Sequence, residues 1–141
     1  MKKLAVLISD AGIGTNLQAI IDAVENKKLR AKIVLVASSS ENAYGLQRAK
    51  KNNITVMVIN KKDDLEKILK NHRVDLVVLA GWKLIVPQSL INVFKNKILN
   101  IHPGLIPNTM NGTVINPDKT VGLWNRGKLT DVAIQNFLDK K

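Results

Sequence analysis

The stretch LAVLISDAGIGTNLQAIIDAV, Leu4–Val24, decides the fold of this 141-residue chain. It opens on a continuous apolar run, which is typical of a strand that is buried on both faces of a sheet. A glycine turn follows, and apolar residues then recur at helical spacing, at Leu17, Ile20 and Val24. The stretch therefore predicts a strand, a tight turn and a helix that packs back onto the sheet.

The same alternation repeats along the chain. Further apolar runs, each typical of a strand, are AKIVLVASSS (31–40), ITVMVIN (54–60), VDLVVLAGW (74–82) and KILNIHP (97–103). The amphipathic segments between them, each typical of a helix, cover 43–53, 62–73 and 87–96. Such alternation predicts an α/β fold with a doubly wound, mostly parallel sheet and helices on both faces. By length we expect a single domain over residues 1–141.

The last part of the chain has a different character. Residues 108–130 are polar and rich in turn formers, without a clear period, and predict one long loop. A loop of this length in a compact domain is often functional. Residues 130–141 have apolar positions at Val132, Ile134 and Leu138 and predict a terminal helix.

Composition excludes several classes of function. The chain has no cysteine, which rules out disulfides, thiolate nucleophiles and cysteine-based metal sites. No segment approaches the ~18 apolar residues of a membrane span, so we expect a cytoplasmic protein without a membrane partner. The net charge of +11 is explained by lysines on solvated helix faces or by an anionic partner. Because aromatic residues do not alternate with these lysines, a nucleic-acid partner is not expected.

Ligands of such sheets bind beyond the carboxyl ends of the strands, and the first such end is the glycine turn. Gly12 and Gly14 allow a ligand to approach the backbone, while Thr15 and Asn16 offer a cap and free N–H groups at a helix N-terminus. The turn is therefore either an anion site or a tight βα turn with nothing bound. It is a poor dinucleotide motif, because a third glycine is missing and Ser38–Ser40 stand where an acidic residue would end the second strand.

Two more strand ends are candidate sites. At Ala80–Gly81 the backbone is again open to a ligand, and Trp82 either covers a pocket or packs on the next helix. Asn100 and His102 lie two residues apart at a strand end, hence on one face. A histidine can act as general acid or base, and an amide can donate to a developing oxyanion. No serine or cysteine nucleophile is placed to use this pair, which favours direct acyl transfer between two bound substrates.

The motifs SDAGIGTNLQAIIDA, DLVVLAGW and ILNIHPGLIP occur in one order, and together they resemble the phosphoribosylglycinamide formyltransferase family. The resemblance runs from the first strand to Pro107. It implies a formyltransferase-like Rossmann fold and a role in de novo purine synthesis. The implied reaction transfers a formyl group from 10-formyltetrahydrofolate, a co-substrate, to the amine of glycinamide ribonucleotide, without a metal.

The resemblance also implies roles for particular residues. The phosphate of the ribonucleotide would be held by Gly14, Thr15 and Asn16. Asn100 and His102 would be catalytic and would stabilise the oxyanion. The pterin of the folate would be bound by Ala80, Gly81, Trp82, Lys83, Leu84, Ile85 and Val86.

Some features depart from the family pattern. The third catalytic group of the family, an aspartate in a DxGP motif, has no counterpart here, and neither do the last strands. Lys83 stands where an apolar residue is usual, and Leu84 where many members have arginine. We therefore expect a truncated or split form, completed by a C-terminal fragment or by a homodimer. The alternatives are a non-catalytic nucleotide- or folate-binding remnant, a pseudoenzyme, and, less favoured, an NAD-binding module.

Overall fold

The computed structural model describes residues 1–10, 13–60, 64–101, 112–115, 119 and 121–123. The chain forms two compact units, Met1–Ile101 and His102–Lys141. In the first unit, strands and helices alternate as the sequence predicts. The strands are β1 (Lys2–Ile8), β2 (Ala31–Ser38), β3 (Val56–Val58), β4 (Leu76–Leu79) and β5 (Ile98–Asn100). The helices are α1 (Thr15–Glu25), α2 (Tyr44–Lys51), α3 (Leu65–Asn71) and α4 (Gln88–Val93).

The five strands form one sheet in the order β3-β2-β1-β4-β5. All four neighbouring pairs are parallel, and the register places Leu4 beside Ile33 on one side and Leu76 on the other. The chain winds outward from β1 to β3, then crosses to β4 and continues to β5. This order confirms the predicted doubly wound parallel sheet, whose strand order reverses between β1 and β4.

Apolar side chains cover both faces of the sheet, which explains the continuous apolar runs in the sequence. Leu4, Val6 and Ile8 of β1 pack with α1 and α2, whereas Ala5 and Leu7 pack with α3 and α4. Helix α1, with 11 residues, buries its apolar stripe against the first face. Within the described residues, none of the helices is long and apolar enough to cross a membrane.

The second unit contains a short antiparallel hairpin. Its strands are β6 (Thr113–Ile115) and β7 (Val121–Leu123), with Val114 opposite Gly122. The hairpin lies inside the segment 108–130, for which the sequence predicts an irregular loop. Strands of three residues are too short to show an alternating pattern, so this pairing has no clear signal in the sequence. The predicted terminal helix over 130–141 lies outside the described residues, and the single domain stays a prediction.

Candidate functional site

The reversal of strand order creates a crevice between the carboxyl ends of β1 and β4. The segment after β1 leads to α1 on one face of the sheet. The segment after β4 leads to α4 on the opposite face. Because the two segments diverge, the space between them is open to a ligand at this edge of the sheet.

Polar contacts connect the strand ends around this crevice. The Ser9 hydroxyl accepts a hydrogen bond from the backbone N–H of Lys83 at 3.0 Å, and it lies 2.6 Å from the Ser39 hydroxyl. The Lys83 ammonium contacts the Asp10 carboxylate at 2.7 Å. These contacts join the ends of β1, β2 and β4, so the walls of the crevice are held together by side chains from three strands.

The ion pair affects the acid–base chemistry of Asp10. The hydrogen bond and the positive charge of Lys83 hold the pKa of the Asp10 carboxyl below its ordinary value. Both side chains are about half exposed, at 53% and 50%, so solvent screens the pair and its net stabilisation is small. Asp10 is therefore an ionised carboxylate at neutral pH, with its charge balanced by Lys83.

No side chain among the described residues caps the N-terminus of α1. Gly14 is the N-cap residue, with φ 74° and ψ 30°, and its carbonyl accepts from the Gln18 N–H at 3.0 Å. The expectation that Thr15 or Asn16 caps the helix is wrong, because both lie within its first turn. A glycine cap has no side chain that could occupy the first N–H groups. With the positive end of the helix dipole, these groups can bind an anion.

Helix α2 lies directly behind this turn. A Cβ added to Gly14 would lie 3.0 Å from Gly45 Cα, so the two backbones are almost in contact. Arg48 donates from Nε to the Ile13 carbonyl at 2.8 Å and from Nη1 to Gln18 Oε1 at 3.0 Å. Sequence reasoning missed both Gly45 and Arg48. The one available signal was a glycine inside a helical pattern, which usually marks close packing.

A cavity of about 370 Å³ lies on the other side of the crevice. Four of its lining residues are among those that the sequence predicts for the folate, namely Trp82, Lys83, Leu84 and Ile85. Sequence reasoning missed the other four, which are Ile59, Asn60, Leu65 and Pro87. Ile59 and Asn60 follow β3, and the rule that ligands bind beyond strand ends would have found them.

The remaining residues of the predicted folate segment lie beside the cavity lining. Ala80 packs toward α1 and α2, and its N–H donates to the Leu7 carbonyl at 2.8 Å. Gly81 adopts φ 83°, a conformation that favours glycine and turns the chain away from β4. Val86 packs with the α3 and α4 layer. These three residues determine the path of the segment's backbone, and the residues between Gly81 and Val86 line the cavity.

Trp82 takes both of the roles that the sequence left open. It packs against the α3 and α4 layer, and it also lines the cavity. Its indole Nε1 is buried and has no hydrogen-bond partner among the described residues. Because that atom is out of reach of solvent, the cavity meets the apolar part of the ring.

Of the predicted catalytic pair, only Asn100 is among the described residues. Asn100 ends β5, is exposed and lies in register with Leu79 of β4. His102 lies outside the described residues, so its shared face with Asn100 stays a prediction. His72 is half-buried, and its Nδ1 lies 2.8 Å from the Ile68 carbonyl at the end of α3.

The fold and the crevice define a Rossmann-like α/β protein, and in such proteins ligands bind at the carboxyl edge of the sheet. Comparison with known proteins then gives the family. The sequence profile of the formyl transferase family matches residues 2–119, and the chain belongs to that family.

Relatives and solved structures agree with this assignment. The chain is 46% identical over 116 residues to phosphoribosylglycinamide formyltransferase of Haemophilus influenzae, covering 76% of this chain and 54% of that protein. It is 42% identical over 124 residues to the enzyme of that name from Dictyostelium discoideum, covering 72% and 59%. The crystal structure of glycinamide ribonucleotide transformylase 1 from Symbiobacterium toebii superposes with a TM-score of 0.70 at 36% identity, covering 79% of this chain and 56% of that one.

These matches have two consequences. The structural similarity confirms the predicted fold class, a parallel α/β sheet of the formyltransferase type. The chain also spans little more than half the length of the relatives that it matches, at 54% and 59%.

Proposed function

We propose that this chain supplies the nucleotide-binding and folate-binding part of a phosphoribosylglycinamide formyltransferase. The reaction is formyl transfer from 10-formyltetrahydrofolate to the amine of glycinamide ribonucleotide, in de novo purine synthesis. The observation that supports it best is the crevice between β1 and β4, with an open helix N-terminus on one side and a cavity on the other. The formyl transferase family profile spans the segments that form both sides.

The glycine turn binds the phosphate of the ribonucleotide in this proposal. Gly14 permits close approach of the phosphate, and Thr15 and Asn16 are exposed in the first turn of α1. Their N–H groups and the helix dipole favour a bound anion. The high positive charge of the chain, +11, adds a long-range attraction for the same ligand.

The cavity binds the pterin ring of the folate. Its volume, about 370 Å³, falls within the ~300–1,000 Å³ range of small-molecule sites. Trp82, Leu84 and Ile85 supply apolar surface for the ring, and Asn60 adds a polar group. Lys83 joins this wall to Asp10 after β1, so the folate and the nucleotide are bound next to each other.

The chemistry uses Asn100 and His102 as the catalytic residues. The amine nitrogen of the ribonucleotide attacks the formyl carbon, and the carbonyl oxygen becomes an oxyanion. The Asn100 amide and the protonated His102 ring stabilise that charge, an effect worth about 10²–10³ in rate for one donor of this kind. The bond from the formyl carbon to the folate nitrogen then breaks, and a proton moves from the attacking amine to the leaving nitrogen.

The edge of the sheet supports a partner that completes the enzyme. β5 is an edge strand of the described sheet, and Leu99 and Ile101 beside Asn100 are 53% and 46% exposed. Apolar side chains on an unpaired edge favour pairing with another chain segment. In this proposal a C-terminal fragment, or a second copy of the chain, covers them and supplies the remaining catalytic group.

Formyl transfer measured with and without an added C-terminal fragment of a full-length relative tests the proposal. We expect little turnover from the chain alone and clear turnover when the fragment is present. His102→Ala should abolish the restored activity, and His72→Ala is the matched control, because His72 is the C-cap residue of α3 and its Nδ1 lies 2.8 Å from the Ile68 carbonyl of the same helix. Activity that survives His102→Ala would refute the catalytic assignment. If the chain binds the ribonucleotide and the folate but no formyl transfer is detected with or without the fragment, the result would favour a non-catalytic binding module.

A further inference from the structure

Arg48 connects helix α2 to residues on both sides of Gly14. Its Nε donates to the Ile13 carbonyl, just before the turn's last glycine, at 2.8 Å. Its Nη1 donates to the Gln18 side chain, one turn into α1, at 3.0 Å. The guanidinium therefore spans the segment that leads into α1, with one anchor on each side of Gly14.

The orientation of Arg48 is itself defined by its neighbours. The guanidinium carbon lies 5.3 Å from the centre of the Tyr44 ring, within the range of a cation–π contact. Gln18, which accepts from Arg48, donates in turn to the Asp22 carboxylate at 2.8 Å, and this contact orients its amide. Arg48 is half-buried, in contrast to the exposed Lys51 at the end of the same helix. A planar group with two fixed anchors can hold the turn in one conformation.

We propose that Arg48 is a positioning residue of the phosphate site. It holds the glycine turn so that the first N–H groups of α1 stay aimed at one point, and it does so through its two hydrogen bonds and not through its charge alone. The inference rests on the proposed function, since it concerns the site assigned to the phosphate of the ribonucleotide. A lysine in its place has the same charge but lacks the planar fork that reaches both anchors.

Ribose 5-phosphate is a suitable probe, with its affinity measured by calorimetry on the full chain. We expect Arg48→Ala to weaken binding by about tenfold or more, because it removes both hydrogen bonds that hold the segment around Gly14. Arg48→Lys should recover only a small part of that loss. Lys51→Ala, which removes one charge from the same helix, is the matched control and should change affinity less than about twofold.

A second readout separates positioning from general damage to the fold. The affinity for 5-formyltetrahydrofolate, which probes the cavity beyond the crevice, should stay within about twofold in every variant. If Arg48→Ala fails to fold, Gln18→Ala removes one anchor only and should still weaken phosphate binding several-fold. In the double variant that combines Arg48→Ala with Gln18→Ala, the loss of free energy of phosphate binding should be smaller than the sum of the two single losses, because both changes release the same segment.

Each outcome decides a different statement. A wild-type chain that does not bind ribose 5-phosphate would overturn the phosphate assignment itself, and the role of Arg48 with it. A wild-type chain that binds, together with an Arg48→Ala variant of equal affinity, would overturn the role of Arg48 alone. Full recovery in Arg48→Lys would also overturn it, because charge would then be sufficient.

Discussion

Replacing Gly14 by alanine should destabilise the protein and weaken anion binding together. Gly14 has φ 74°, a left-handed conformation that side chains other than glycine rarely adopt. An added Cβ would also lie 3.0 Å from Gly45 Cα and 3.3 Å from Gly45 N. Both atoms belong to the backbone of α2, which cannot rotate away as a flexible side chain could.

The loss of stability has two contributions, the left-handed backbone conformation and the crowding against α2. The left-handed conformation costs alanine about 1–2 kcal/mol, and overpacking against neighbours that cannot move costs about 1–3 kcal/mol. Alanine also restricts the unfolded chain, which offsets about 0.4–1 kcal/mol. The free energy of unfolding should therefore fall by about 3 kcal/mol. For a chain of this length that is a decrease in Tm of roughly 10 °C.

Urea unfolding followed by circular dichroism measures the change, and Gly45→Ala is the matched control. There the nearest atom is the Ile8 Cδ1 methyl at 2.6 Å, the end of a flexible side chain, and a helical alanine is favoured over glycine by about 1 kcal/mol. We expect Gly45→Ala to cost clearly less than Gly14→Ala. A cost below about 1 kcal/mol for Gly14→Ala, or the reverse order of the two variants, would refute the argument.

Two further predictions concern local electrostatics and capping. Because Lys83 lowers the pKa of Asp10, the pair stabilises the fold above the ordinary aspartate pKa and loses that contribution as the pH falls through and below about 4. Lys83→Met should lower the unfolding midpoint slightly at pH 7 and by less at pH 3, and a pH-independent difference would contradict this. Asp64 caps α3 by accepting from a backbone N–H at 3.0 Å, so Asp64→Ala should cost about 1 kcal/mol in urea unfolding while Asp64→Asn costs less. Equal losses in the two Asp64 variants would show that the cap is not the cause.

The elements of the first unit were predictable because each leaves a local pattern. The run over 31–40 predicts a strand, and β2 occupies Ala31–Ser38. The segment 62–73 predicts a helix, and α3 occupies Leu65–Asn71. The observed elements are shorter, because the predicted spans include polar residues at their ends: Ser39 and Ser40 follow β2, and Asp64 and His72 are the cap residues of α3.

The candidate site was predictable only in part. Strand ends that carry glycine, such as Ala80–Gly81, direct attention to the correct edge of a parallel sheet. Leu65 carries no such local signal, and it reaches the cavity because α3 begins beside the segment after β4. The expectation of a cap at Thr15 was wrong because a left-handed glycine, Gly14, begins the helix in place of a side-chain cap.

The sequence by itself determined the parallel α/β fold, the edge of the sheet where we propose that ligands bind, and the glycine at the start of α1. Those features depend on residue order within a few turns of chain, where apolar period and glycine conformation act directly. Only the tertiary structure decided which distant residues serve that edge. Arg48 stands 35 residues from the carbonyl that it binds, and Lys83 stands 73 residues from Asp10. The physical reason is that such contacts form only after the sheet has brought the strand ends together, and no local pattern records them.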